Sequence, residues 1–191
     1  MSIEFEGFPK IPRLYREVVI SEKIDGTNSL VHITDDHQML VGSRSRWITP
    51  DQDNFGFAAW AYAHKDELLT LGPGRHFGEW WGGKIQRGYG VQEKRFSLFN
   101  TTRFCLHGET PKQIGVGKLQ HVLPPCVGLV PELYRGLFSQ DAVNQCLQKL
   151  RYNGSYAAPG FGNPEGIVVF HEASGALYKV TLEGDEKPKS L

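Results

Sequence analysis

Short apolar runs broken by turn residues set the pattern along most of this chain. Residues 18–22, 30–34 and 38–42 read as strands, the last two joined by Asp35-Asp36-His37 as a hairpin turn. Residues 76–81, 96–100, 127–133, 166–171 and 176–181 continue in the same way. Helical spacing appears twice. Asp53 is placed to cap a helix over 54–71, with Phe57, Trp60, Ala61, His64 and Leu68 on one face and Gly72 as its stop. Ser139 is placed to cap a second over 140–150, which gathers Val143, Cys146, Leu147 and Leu150 on one side. Segments 82–94 and 107–125, rich in Gly, Pro, Lys and Gln, read as loops. The regular strand–helix alternation of a dinucleotide fold is missing. The pattern predicts an α+β fold of mainly antiparallel sheets with a few packed helices.

With 191 residues, 40% of them hydrophobic, a single domain over 1–191 with a substantial core is expected. The formal net charge is zero, so contact with a polyanion must rest on a local basic patch. Cys105, Cys126 and Cys146 are odd in number and far apart, with no C-x-x-C pair. That argues against a zinc site or a disulfide framework and for a reducing, cytoplasmic setting. Residues 1–10 hold two glutamates and no long apolar run, unlike a signal peptide. Nothing approaches the length of a membrane span.

Candidate chemistry begins at Lys23-Ile24-Asp25-Gly26, where the apolar run Val18-Val19-Ile20 gives way to a polar turn. A lysine at a strand end, with an acid two residues on and a glycine that permits tight geometry, suits a nucleophile. A solvated strand-end lysine carries the same local pattern. The amine attacks only when unprotonated, and its reference pKa of ~10.4 leaves little of that form at pH 7. A neighbouring cation such as Lys179 would help. Arg44 and Arg46, alternate residues of an extended strand, would share a face and suit phosphate oxygens; charged guards on an edge strand would look alike. Glu79 sits among aromatics and glycines, where ribose hydroxyls or a core arginine would satisfy it. Of Phe96 and Phe99, on opposite faces of a strand, one would serve the core and the other a cleft. Glu165 leads into a β-branched strand and could hold a hard divalent cation or simply end a turn.

In this order the segments resemble the covalent nucleotidyltransferase superfamily: ATP-dependent DNA and RNA ligases and mRNA capping enzymes. Lys23-Ile24-Asp25-Gly26 is similar to motif I and Ser43-Arg44-Ser45-Arg46 to motif Ia. Phe77-Gly78-Glu79 is similar to motif III, and Arg95-Phe96-Ser97-Leu98-Phe99-Asn100 to motif IIIa. Glu165-Gly166-Ile167-Val168-Val169 is similar to motif IV, and Tyr178-Lys179-Val180 to motif V. Glu22 to Asn28 resembles most the branch that seals nicks in repaired RNA. The resemblance implies an ATP-grasp-like adenylation domain that uses ATP with Mg2+ or Mn2+. Lys23 would form a lysyl-AMP bond, with Asp25 orienting it or the incoming strand end and Lys179 on the α-phosphate. Glu22 would read the adenine edge, Arg44 hold a phosphate or strand end, Glu79 bind ribose, and Phe99, ahead of Phe96, stack on the base. Glu165 would bind metal. RNA, nicked or single-stranded, is implied ahead of DNA, with Arg44, Arg46, Lys84, Arg87, Lys94 and Arg95 as its grip. The chain ends ten residues after Thr181, so no OB domain is expected and a separate accessory protein would supply end binding. A GTP-dependent guanylyltransferase, or a non-sealing nucleic-acid-binding protein on the same scaffold, are the competing functions.

Overall fold

The computed structural model describes residues 4–184. The chain starts in a smaller sheet with β1 (Glu17–Lys23) and crosses through Ile24-Asp25-Gly26 to a larger one. There it forms β2 (Thr27–Ile33), β3 (Met39–Ser43), β4 (Trp47–Ile48), the helices α1 (Phe57–Ala63) and α2 (Lys65–Leu69), then β5 (Gly74–Gly82) and β6 (Lys94–Leu98). Four short strands follow: β7 (Phe104–Cys105), β8 (Gln113–Gly115), β9 (Lys118–Leu119) and β10 (His121–Val122). After β11 (Val127–Leu129), Val130-Pro131 carries the chain back. The smaller sheet is completed by β12 (Glu132–Leu137), β13 (Gly166–His171) and β14 (Ala176–Thr181), with helix α3 (Gln140–Asn153) between the first two. Strand order is β11-β6-β5-β2-β3-β4 in the larger sheet and β12-β1-β13-β14 in the smaller. Both are antiparallel apart from the β11–β6 pair. The expected α+β class holds.

Period-two alternation explains which faces are buried. Val31, Ile33, Met39, Val41, Ile48, Trp80, Phe96 and Leu98 all fall on one side of the larger sheet, against Phe57, Ala58, Ala61, Leu68 and Leu71. In the smaller sheet Val18, Ile20, Ile167 and Val169 pack on Ala142, Val143, Cys146 and Leu150 of α3. A third cluster joins the two sheets: Ile24, Trp81, Tyr89, Val130 and Ala158. Ile24 and Val130 belong to the two crossings, and Glu22 N–H donates to Pro131 O at 2.9 Å, so the crossings run side by side.

Four expectations change. The helix over 54–71 is two short ones, because Phe55 and Gly56 are left-handed (φ 54° and 81°) and the backbone breaks at His64 (φ −107°, ψ 23°). Asp53 still caps it, accepting from Ala58 N–H at 2.7 Å and Ala59 N–H at 3.0 Å. Residues 127–133 are two strands in different sheets, divided at Val130-Pro131. Segment 107–125 is a loop only in part, since β8 and β9 pair within it. Residues 44–46 form the turn between β3 and β4, not an extended strand. Helix α3 starts as expected, with Ser139 Oγ accepting from Ala142 N–H at 3.1 Å, and runs on to Asn153. Among the described residues no helix is long and apolar enough to cross a membrane.

Candidate active site

Lys23 is the last residue of β1. Alternation puts it with Ser21 and Val19, on the face away from α3. Its Nζ donates to Glu165 Oε2 at 2.7 Å, a pair formed across 142 residues of sequence. Both side chains are partly shielded, 27% and 16% exposed. The larger sheet contributes Glu79, whose carboxylate accepts from Gly26 N–H at 3.1 Å and Asn28 Nδ2 at 3.0 Å. Burial pushes the Glu79 pKa up to about 7; the Lys23 cation pulls it down and Glu165 raises it, so all three share one cleft. Along β5 exposure climbs from Trp81 (2%) through Glu79 (7%) to Phe77 (52%). The cleft is closed at the sheet junction and opens outward from Glu79.

The turn that presents Lys23 is held from the loop between β5 and β6. Tyr89, buried and left-handed (φ 52°), accepts from Asp25 N–H at 2.9 Å and donates to Lys23 O at 3.4 Å. Its phenol is pushed upward by burial and stays neutral. Asp25 is ion-paired to Arg87 Nε at 3.1 Å, and Arg87 also donates to Glu183 at 2.7 Å and to Asn163 O at 3.3 Å. Arg87, a candidate for gripping nucleic acid, has its guanidinium engaged in this network within the chain. Asn28, Tyr89 and this role of Arg87 were missed in the sequence. Only Asn28 left a signal, five residues after Lys23 at the start of β2.

The remaining candidates divide. Lys179 is exposed on β14, opposite Val168, which is opposite Ser21; register therefore puts it on the Lys23 face, one row away. Phe96 is buried against Phe57 and Trp60, whereas Phe99, just past β6, is half-exposed on the Glu79 face. Arg44 and Lys84 are exposed. Arg46 does not share a strand face with Arg44: its Nη1 donates back to Gln52 O at 3.2 Å. Lys94 Nζ is engaged by Phe55 O at 2.6 Å, and Arg95 lies 5.6 Å from the Trp81 ring centre. Glu22 is the clearest correction. It points to the α3 side, 1% exposed, and accepts from Ser155 Oγ, Tyr156 N–H (2.8 Å) and Ala157 N–H (3.0 Å). Desolvation raises its pKa while those donors oppose the rise. The carboxylate bolts the 155–158 turn and does not face the cleft.

A divalent cation fits this donor set in a limited way. Among the described residues no group of three or more His, Cys, Asp or Glu side chains converges on one point. Glu165, with Glu79 in the same cleft, could offer a hard oxygen ligand, and Mg2+ fills its other positions with phosphate oxygens and water.

The RNA ligase family model matches residues 16–181. No curated protein matches. Solved structures of a Naegleria gruberi RNA ligase share the fold: an aspartate-to-alanine variant without ligand (TM-score 0.56, 20% identity, 88% of this chain and 50% of that one), the enzyme with PPi (0.56, 18%, 87% and 50%), and a lysine-to-methionine variant with AMP and Mn (0.55, 17%, 89% and 51%). The chain spans about half the length of these structures. The family match runs from just before β1 to the end of β14, through every segment that builds the cleft: the chain belongs to the RNA ligase family.

Proposed function

We propose that the cleft binds ATP with a divalent cation and that Lys23 Nζ attacks the α-phosphorus. The Nζ–P bond forms, the α–β phosphoanhydride bond breaks and pyrophosphate leaves. The AMP then passes to a 5′-phosphate of RNA, and a 3′-hydroxyl displaces it as the strands join. One observation carries this reading: Lys23, Glu165 and Glu79, from three distant segments, meet in one partly shielded cleft.

Lys23 Nζ donates to Glu165 Oε2 at 2.7 Å, so this bond must give way before the nitrogen can attack. Tyr89 and the Arg87–Asp25 pair fix the turn, so the amine approaches from one direction. Glu79, already aimed by Gly26 and Asn28, accepts from ribose hydroxyls, and Phe99 stacks on adenine. Lys179, and Arg44 from the β3–β4 turn, meet phosphate oxygens. Glu165 would hold a magnesium or manganese ion in part, and that ion would supply neutralisation of the charge developing on the phosphates. The three cysteines are free thiols and fit a reducing cytoplasm. An accessory protein or module would hold the duplex beyond this chain's own surfaces.

Incubation with α-labelled ATP and Mg2+, followed by denaturing electrophoresis, tests the core step. Label should stay on the wild-type chain and vanish in Lys23→Ala. An unlabelled wild type, or label from GTP alone, would overturn the assignment.

A further inference from the structure

The open face of the larger sheet extends well beyond the reaction centre. One transverse row crosses five strand positions: Phe99, Phe77, Leu30, Gly42 and Trp47. Phe99 N–H donates to Phe77 O, and the others follow directly in register. The next row outward is Arg75, His32 and Leu40. Ile48, beside Trp47, is buried in the core, which leaves the indole on the outer face, 51% exposed. A Cβ built on Gly42 would lie 3.4 Å from Trp47 Cε3 and 3.5 Å from Leu30 Cβ. The indole therefore lies along the sheet over Gly42, with the His32 ring centre 6.0 Å away.

We propose that Trp47, laid over Gly42 and edged by His32, is a stacking platform for a base of the RNA strand, separate from the adenine position at Phe99. The inference rests on the RNA ligase reading of the Lys23 cleft and extends it. Four strand spacings, about 19 Å, separate Trp47 from Phe99, beyond the reach of one nucleotide. The two aromatics must serve different nucleotides. Charge selects the occupant: Arg44 and Arg46 lie in the turn just before Trp47, Arg75 is exposed one row out, and neither row holds an acid. Flat aromatic surface bordered by guanidinium groups accepts bases while neutralising the phosphates between them.

Binding of a short 5′-hydroxyl RNA, followed without ATP, tests this. Trp60, Trp80 and Trp81 lie in or against the cores, so RNA-dependent quenching of tryptophan emission would come from Trp47. Quenching should occur in the wild type and disappear in Trp47→Phe, which keeps RNA affinity within a few-fold. Trp47→Ala should fold normally by thermal melting and bind RNA about tenfold or more weakly. Unchanged RNA affinity in Trp47→Ala would overturn the proposal, as would quenching by ATP alone. Because no ATP is present, this outcome is read independently of lysyl-AMP formation.

Discussion

Glu79 is held between two demands. Buried near Glu165, it favours the neutral form; near Lys23 and two N–H donors, it favours the charged one. The net effect puts its folded pKa at about 7, above the ordinary 4.5. A carboxyl raised on folding contributes most below its unfolded pKa, and that stability is lost as pH rises through the folded value. Wild-type stability should therefore fall between about pH 4.5 and 7. In chemical denaturation Glu79→Gln should lack this pH dependence, gaining on the wild type by up to about 3 kcal/mol across that window. The same variant should bind ATP more weakly, because its amide keeps one acceptor oxygen but loses the carboxylate's charge-assisted bonds to ribose hydroxyls. An equal pH profile in both proteins would refute the tension. Strand alternation already bore on the neighbouring acid: Glu22 is adjacent to Lys23 on one strand, so the two cannot share a face. The motif resemblance drew Glu22 into the cleft; period two places it on the other side, where Ser155 waits 133 residues away.

The crossing from β1 to β2 depends on a glycine for space, not for a left-handed turn. A Cβ on Gly26 would strike Trp80 O and come within 2.8 Å of Trp81 Cβ and 3.1 Å of Glu79 Cγ. Gly26→Ala should lower stability by roughly 1–3 kcal/mol through overpacking, read by urea unfolding. It should also slow self-adenylation beyond what that loss explains, because Glu79 is among the neighbours that the added Cβ would press on. Adenylation at the wild-type rate would show that the close approach is dispensable. The elements flanking this crossing were legible because each carries a short apolar run bounded by polar turn residues. The loop after β5 was not. Gln86 and Tyr89 adopt positive φ (46° and 52°) without being glycine, and the place of Tyr89 is set by distant contacts: its bonds to residues 23 and 25 and its packing on Trp81 and Phe161. Residues 44–46 misled for a related reason: Ser43 N–H bonds to Arg46 O at 2.8 Å, closing a turn that two alternating arginines conceal.

The whole chain is neutral, so the proposed hold on RNA would have to come from charges grouped on one face. Several cations are already engaged within the protein: Arg87 by Asp25 and Glu183, Arg135 by Glu132 and Glu172, Lys94 by Phe55 O. With about three or four cations on phosphates, Arg44, Arg46 and Arg75 among them, log affinity should fall against log salt with a slope near −2 to −3, measured by RNA titration at several ionic strengths. A slope near zero would mean that stacking alone binds the strand. Order along the chain revealed the motifs, but not that Glu165 and Lys23 meet, since only sheet pairing brings them together. The chain passes between its sheets at Ile24-Asp25-Gly26 and again at Val130-Pro131, two strips joined by the Glu22–Pro131 hydrogen bond. If the angle between the sheets widens to admit a strand, these strips are the axis of that rotation. A point beside an axis scarcely travels: the jaws would swing while Lys23 Nζ keeps its aim.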